Sequence, residues 1–115
     1  MTHKQAERIT GLTIRATQPV PHGDCAFIGI NSNDVAIVAG RSRSSGDALN
    51  KLVDNHYKMV CKEVALKQKH KCWECGKFGP MQFHHVQHRS KGRIDSLDNI
   101  VGLCPMCHGR QHGTA

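Results

Sequence analysis

The chain has 115 residues, 38% of them hydrophobic, and only one Trp, one Tyr and three Phe supply large aromatic side chains. This length predicts one domain, or one small domain with an N-terminal extension, whose thin apolar core a structural metal would reinforce. The formal net charge of +7 favours a polyanionic partner such as nucleic acid. The chain contains no run of eighteen apolar residues and no apolar signal segment, so we expect a cytoplasmic protein that does not enter a membrane.

Residues 1–45 are expected to form short strands and turns, including a β-hairpin. Two nearly continuous apolar runs, 25–30 and 35–39, flank the turn-rich segment 31–34, and residues 9–15 alternate in part. Because both strands of the hairpin are apolar on both sides, the rest of the chain must cover at least one face.

Residues 46–70 are expected to form an amphipathic segment with a helix over roughly 46–68. The residues of one face recur at steps of three and four: Leu49, Leu52, Val53, His56, Val60 and Val64. Ser45 or Asp47 is available as the N-cap. Lysines collect near the C-terminal end, where they either complement the helix dipole or form a face that contacts a nucleic-acid backbone: Lys62, Lys67, Lys69 and Lys71.

Residues 71–115 contain two Cys-x-x-Cys pairs, Cys72 with Cys75 and Cys104 with Cys107. Four thiolates in this doubled pattern are typical of a tetrahedral zinc site, and a closed set of four protein ligands indicates a structural role. The alternative is a pair of disulfides, which is less expected in a reducing compartment. This segment is too polar to fold alone without the metal.

Five of the nine histidines fall within the last 32 residues. His84 and His85 are adjacent, so on a strand their side chains point to opposite faces. His108 and His112 are four residues apart, so on a helix their rings lie one turn apart on the same face and can hold a divalent ion. The alternative is that this pair provides zinc-finger-like ligands or is simply exposed.

Five motifs follow one another in chain order: Cys72-x-x-Cys75, His84-His85-Val86, Arg89-Ser90-Lys91-Gly92, Asp98-Asn99-Ile100-Val101 and Leu103-Cys104-x-x-Cys107-His108-x-x-x-His112. With these motifs, residues 72–112 resemble the HNH endonuclease family with its cysteine knuckles, a type frequent in phages and prophages. The resemblance implies an α+β fold with a ββα-metal, treble-clef-like core over residues 71–115, which the four-cysteine zinc holds together. It also implies metal-dependent hydrolysis of DNA phosphodiester bonds.

By position, the resemblance implies that His85 is the general base and that Asn99 orients the loop bearing it. It implies that His84, His108 and His112 hold one divalent ion, Mg²⁺ or Mn²⁺ in the first instance, with Ni²⁺ and Zn²⁺ also compatible with imidazole ligands. A neutral imidazole accepts a proton from water near pH 7. His88 stands where relatives usually have another residue and receives no role.

Arg89, Lys91 and Arg93 lie between the expected catalytic strands, and we expect them to contact the DNA backbone unless they are only solvated loop charges. Relatives often have a Gly-Gly pair where this chain has Gly92 and Arg93, so the resemblance does not fix the geometry of this loop.

Two other interpretations remain open at the level of sequence. The region could be a non-catalytic zinc module that binds nucleic acid or protein, although such a module has no need of His85. The nuclease could also act inside a phage or recombination assembly, in the host cytoplasm, with residues 1–70 as a docking part or a homodimer interface.

Overall fold

The computed structural model describes residues 1–17, 23–87 and 92–111. The chain divides into two compact units, Met1–Lys58 (unit 1) and Met59–Ala115 (unit 2). Helix α2, Ser45–Lys67, is long enough to contribute residues to both. None of the helices within these described ranges is long and apolar enough to cross a membrane.

Unit 1 begins with a helix, α1 (His3–Thr10), where the sequence predicted only strands and turns. That expectation was wrong because a capping box starts the helix: Thr2 Oγ1 accepts from the Gln5 backbone N–H, and Gln5 Oε1 accepts from the Thr2 N–H. Gly11, at φ 71°, ends it by donating its N–H to the Glu7 carbonyl. The partial alternation of residues 9–15 therefore spans a helix end and the start of strand β1.

Three antiparallel strands follow in the order β1 (Thr13–Ala16), β2 (Cys25–Ile30) and β3 (Ala36–Ser42). The predicted hairpin is confirmed by β2 and β3, and its turn is held by Asn31, whose Oδ1 accepts from the N–H groups of Asn33 and Val35. One face of the sheet is covered, as expected, by residues from α1 and α2. That core consists of Ala6, Ile9, Ile14, Leu49, Leu52 and Val53, with Phe27 and Val38 packed against it.

The predicted long helix is confirmed as α2 (Ser45–Lys67). Its N-cap is Ser44, however, and not Ser45 or Asp47. Ser44 Oγ accepts from the Asp47 N–H at 3.2 Å, which places Asp47 at the third helical position, where its backbone needs a cap and its charge suits the helix dipole.

Strand β3 approaches α2 most closely at Gly40. A Cβ added there would lie 2.5 Å from the Leu52 backbone nitrogen and closer still to the Ala48 carbonyl oxygen. Neither atom can move without displacing the helix, so Gly40→Ala should lower the free energy of unfolding of unit 1 by about 3 kcal/mol, as measured by urea denaturation. Gly46→Ala is the matched control, because its Cβ would have only Met1 atoms at 3.9 Å; an equal loss in both variants would contradict this packing.

Unit 2 contains the predicted ββα region. Strands β4 (Gln82–His85) and β5 (Ile100–Leu103) pair antiparallel, and helix α3 (Pro105–Gln111) follows directly. A tight turn precedes them, in which the Gly76 N–H donates to the Cys72 carbonyl and the Cys72 N–H donates to the Lys77 carbonyl. The α+β class, with a hairpin, a long helix and a C-terminal ββα region, is thus confirmed.

The side chain of Gln68 joins the end of α2 to β5. Its Oε1 accepts from the Gly102 N–H at 2.9 Å, and its Nε2 donates to the Gly102 carbonyl at 3.0 Å and the Lys71 carbonyl at 2.8 Å. The Trp73 N–H donates to the same Gly102 carbonyl. Strand β5 is therefore fixed on both edges, by β4 on one side and by these groups on the other.

Candidate functional site

The two cysteine pairs lie together. One pair comes from the tight turn before β4 and the other from the junction of β5 and α3, and all four sulfur atoms lie within 4.8 Å of one another. The Cys75 and Cys104 sulfur atoms are 3.7 Å apart, close to the edge of about 3.8 Å expected for a tetrahedron with zinc–sulfur bonds of about 2.3 Å. None of the four is in a disulfide. The predicted cysteines are positioned to bind a metal such as zinc.

Backbone N–H groups around the cluster favour thiolate at two positions. Burial raises the pKa of Cys72, but N–H groups of Cys75, Cys104 and Glu74 outweigh it and lower this pKa to about 6. The Cys107 N–H, 3.5 Å from the Cys104 sulfur, and the Cys107 thiol lower the pKa of Cys104. The Cys104 thiol and burial raise the pKa of Cys107 to about 12. Thiolate is the form that binds a metal, and in the metal-free fold its surroundings favour it at Cys72 and Cys104.

Two of the three histidines predicted to hold a divalent ion face each other. His84 is on β4, opposite Val101 of β5, and His108 is in the first turns of α3. Their ring centroids are 5.9 Å apart with an interplanar angle of 78°. The third predicted ligand, His112, lies outside the described residues.

His85 occupies the opposite face of β4, as the alternation of a strand requires. It is 8% exposed, and its Nε2 lies 2.7 Å from Oδ1 of Asp95. Asp95 is 1% exposed and had no predicted role. In the sequence, the signal for this contact was a carboxylate ten residues after a candidate base. Such a spacing is too weak a signal to predict that the two side chains meet.

Arg93 was expected to contact DNA, and the structure pairs it with Asp95. Its Nε donates to Asp95 Oδ1 at 3.0 Å and its Nη2 donates to Oδ2 at 2.8 Å. The Arg93 side chain is 23% exposed. A contact with phosphate stays a prediction for Arg93. The other cations of this loop, Arg89 and Lys91, lie outside the described residues, as does His88.

Asn99 ties together the two ends of the segment between β4 and β5. Its side-chain Oδ1 accepts from the Gln87 N–H at 2.8 Å, and its Nδ2 donates to the Ile94 carbonyl at 2.7 Å. Its own carbonyl accepts from the Val86 N–H. These bonds begin one residue after His85, so Asn99 is positioned to set the course of the chain next to the predicted base.

Comparison with known proteins finds similarity in the C-terminal region. Residues 72–114 match the family model described as HNH endonuclease. The chain is also similar to the type IV methyl-directed restriction enzyme EcoKMcrA of Escherichia coli (strain K12), at 36% identity over 63 alignment positions, which cover 47% of this chain and 23% of that enzyme. The chain thus spans less than a quarter of that relative. No solved structure matches the chain.

Proposed function

We propose that the chain is a metal-dependent endonuclease that hydrolyses DNA phosphodiester bonds in unit 2. The observation that carries this proposal is the position of the two adjacent histidines of β4 within the HNH match. His84 faces His108 of α3, and His85 lies on the other face within hydrogen-bonding distance of a buried carboxylate. One strand therefore supplies a ligand for an ion and a group that can accept a proton.

His85 acts as the general base and takes a proton from the water that attacks the phosphorus atom. Asn99 fixes the chain that follows His85 through its bonds to Gln87 and Ile94, so that the base keeps one position relative to the bound phosphate. A fixed position of His85 matters because a displacement of a catalytic group by about 1 Å costs about a hundredfold in rate.

His84 and His108, with His112 as the third ligand, would hold one divalent ion. The imidazole nitrogens suit Mn²⁺, Ni²⁺ and Zn²⁺ and admit Mg²⁺. When bound, the ion stabilises negative charge on the phosphate and on the leaving 3′ oxygen. The four cysteines would hold a separate, structural zinc, since four sulfur ligands would leave no position for water.

DNA is the proposed substrate, because the family is one of endonucleases and the relative's name describes a restriction enzyme. Methyl-directed action belongs to that enzyme and is not part of the function proposed for this chain. Arg89 and Lys91 are proposed backbone contacts. A homodimer, a phage source and a docking role for residues 1–70 stay predictions.

Purified protein should nick or linearise supercoiled plasmid with Mg²⁺ or Mn²⁺, and His85→Ala should reduce the rate about a hundredfold or more, because it removes the base. The matched control is His70→Asn, which replaces an exposed histidine of the same unit at φ 59° with a residue that tolerates this conformation. The control should cut at the wild-type rate.

Two results would contradict the proposal. If His85→Ala is folded and cuts like the wild type, His85 is not the base. If the zinc-loaded wild type cuts neither single- nor double-stranded DNA with any of the four ions, unit 2 is better described as a binding module.

A further inference from the structure

The Asp95 carboxylate is shared by two side chains. Its Oδ1 lies 2.7 Å from His85 Nε2 and 3.0 Å from Arg93 Nε, and its Oδ2 lies 2.8 Å from Arg93 Nη2. The Asp95 side chain is completely buried and that of His85 is 7% exposed. A carboxylate is rarely buried unless it is paired and hydrogen-bonded, and here both oxygen atoms are engaged.

We propose that Asp95 is a positioning residue for the His85 base, a role that rests on the function proposed above. An ionised carboxylate only accepts hydrogen bonds, so His85 Nε2 must carry the proton and donate it to Oδ1. In the neutral ring the other nitrogen, Nδ1, is then the acceptor. Asp95 thus selects the tautomer of His85 and identifies Nδ1 as the atom that takes the proton from water.

Arg93 holds Asp95 in this role. Its two parallel N–H bonds fix the carboxylate plane, a geometry that lysine cannot reproduce. The carboxylate therefore cannot rotate away from His85 without breaking a buried, two-point ion pair. Ile94 lies between Arg93 and Asp95, and its carbonyl accepts from Asn99 Nδ2. The segment 93–95 is therefore held both by the ion pair and by the Asn99 side chain.

Asp95→Asn tests the proposal while keeping the size of the side chain. Both oxygen atoms of Asp95 face N–H donors. The amide nitrogen that replaces one of them in this variant is itself a donor, so it must face a donor of either Arg93 or His85. When it opposes His85, Nε2 has to accept and the proton moves to Nδ1. In the catalytic Asp of serine proteases, the same change leaves the geometry intact and gives the wrong tautomer.

Two readouts should be made on the full, zinc-loaded chain. Long-range ¹H–¹⁵N spectra, at a pH where the ring is neutral, should show His85 protonated at Nε2 in the wild type and the Nδ1–H form populated in Asp95→Asn. Plasmid cleavage by Asp95→Asn should fall about a hundredfold, with zinc content and melting temperature monitored as checks on folding. Asp98→Asn, an exposed carboxylate of the same segment, is the control and should change neither readout.

The tautomer of the wild-type chain decides the proposal independently of activity. Protonation at Nδ1 in the wild type would overturn it, as would a folded Asp95→Asn with the wild-type tautomer and rate. If the wild type cuts no DNA, the proposed nuclease function fails, whereas Nε2 protonation that depends on Asp95 would still support the pairing. If Asp95→Asn does not fold, Arg93→Lys replaces it, and the expected result is a smaller shift towards the Nδ1–H form.

Discussion

Removal of the metal from the four-cysteine cluster is expected to unfold unit 2 while unit 1 keeps its structure. The buried cluster around the site is made largely of the ligands themselves: Cys72, Cys104 and Cys107 are buried with Leu103, and Val101 packs against them. Without the ion this region retains little apolar core, and structural zinc contributes about 10 kcal/mol or more to small domains of this type. Unit 1 has a separate apolar core on its sheet.

The measurement is a two-dimensional NMR spectrum of the full chain before and after chelation, together with zinc analysis. Cys107→Ser should reproduce the chelated state. Cys25→Ser is the control, since Cys25 is half-buried and outside the cluster, and it should keep both the metal and the fold. Retention of the unit 2 signals in metal-free protein would show that the cluster is not structural.

Substitution of either facing histidine, His84→Ala or His108→Ala, is expected to lower plasmid cleavage about a thousandfold. Each change removes one ligand of the proposed ion, and the charge stabilisation that such an ion supplies is worth several kcal/mol, with about 1.4 kcal/mol for each factor of ten in rate. Because the two rings serve one ion, the double variant should lose little more activity than either single variant.

Mn²⁺ affinity, measured by calorimetry on the zinc-loaded protein, separates a lost ligand from a lost fold. Both variants should bind Mn²⁺ more weakly while zinc content and the unit 2 spectrum stay unchanged, and His70→Asn should bind it normally. Wild-type Mn²⁺ affinity in both variants would place the ion elsewhere, whatever their activity.

The sequence predicted the elements whose signals are local. The spacing of the cysteine pairs predicted the metal cluster, because ligand spacing constrains neighbours directly. The ββα region was predicted from the resemblance of residues 72–112 to the HNH endonuclease family. The period of three and four residues predicted α2 to within one residue at each end. The start of α1 was also locally encoded, in the capping box of Thr2 and Gln5, but the partial alternation that follows concealed it.

The contact between His85 and Asp95 was not predictable in the same way. It joins a strand to a position ten residues later, across a segment whose path depends on Asn99 and on burial. Arg93 shows a related limit of charge patterns. A cation in a loop suggests a phosphate contact, but the sequence does not reveal that the carboxylate of Asp95, two residues away, accepts from its Nε and Nη2. Side-chain pairing of this kind depends on tertiary structure.

The double hydrogen bond between Gln68 and Gly102 also limits how unit 2 can assemble. An unpaired strand edge offers a row of backbone donors and acceptors on which a foreign strand can add, yet Gln68 and the Trp73 N–H occupy the polar groups of Gly102 at the outer edge of β5. A second chain therefore cannot extend this two-stranded sheet through Gly102 without displacing an amide side chain. If the protein self-associates through strand pairing, the edges to examine are the outer edge of β4 in unit 2 and those of β1 and β3 in unit 1, which flank β2 in the three-stranded sheet.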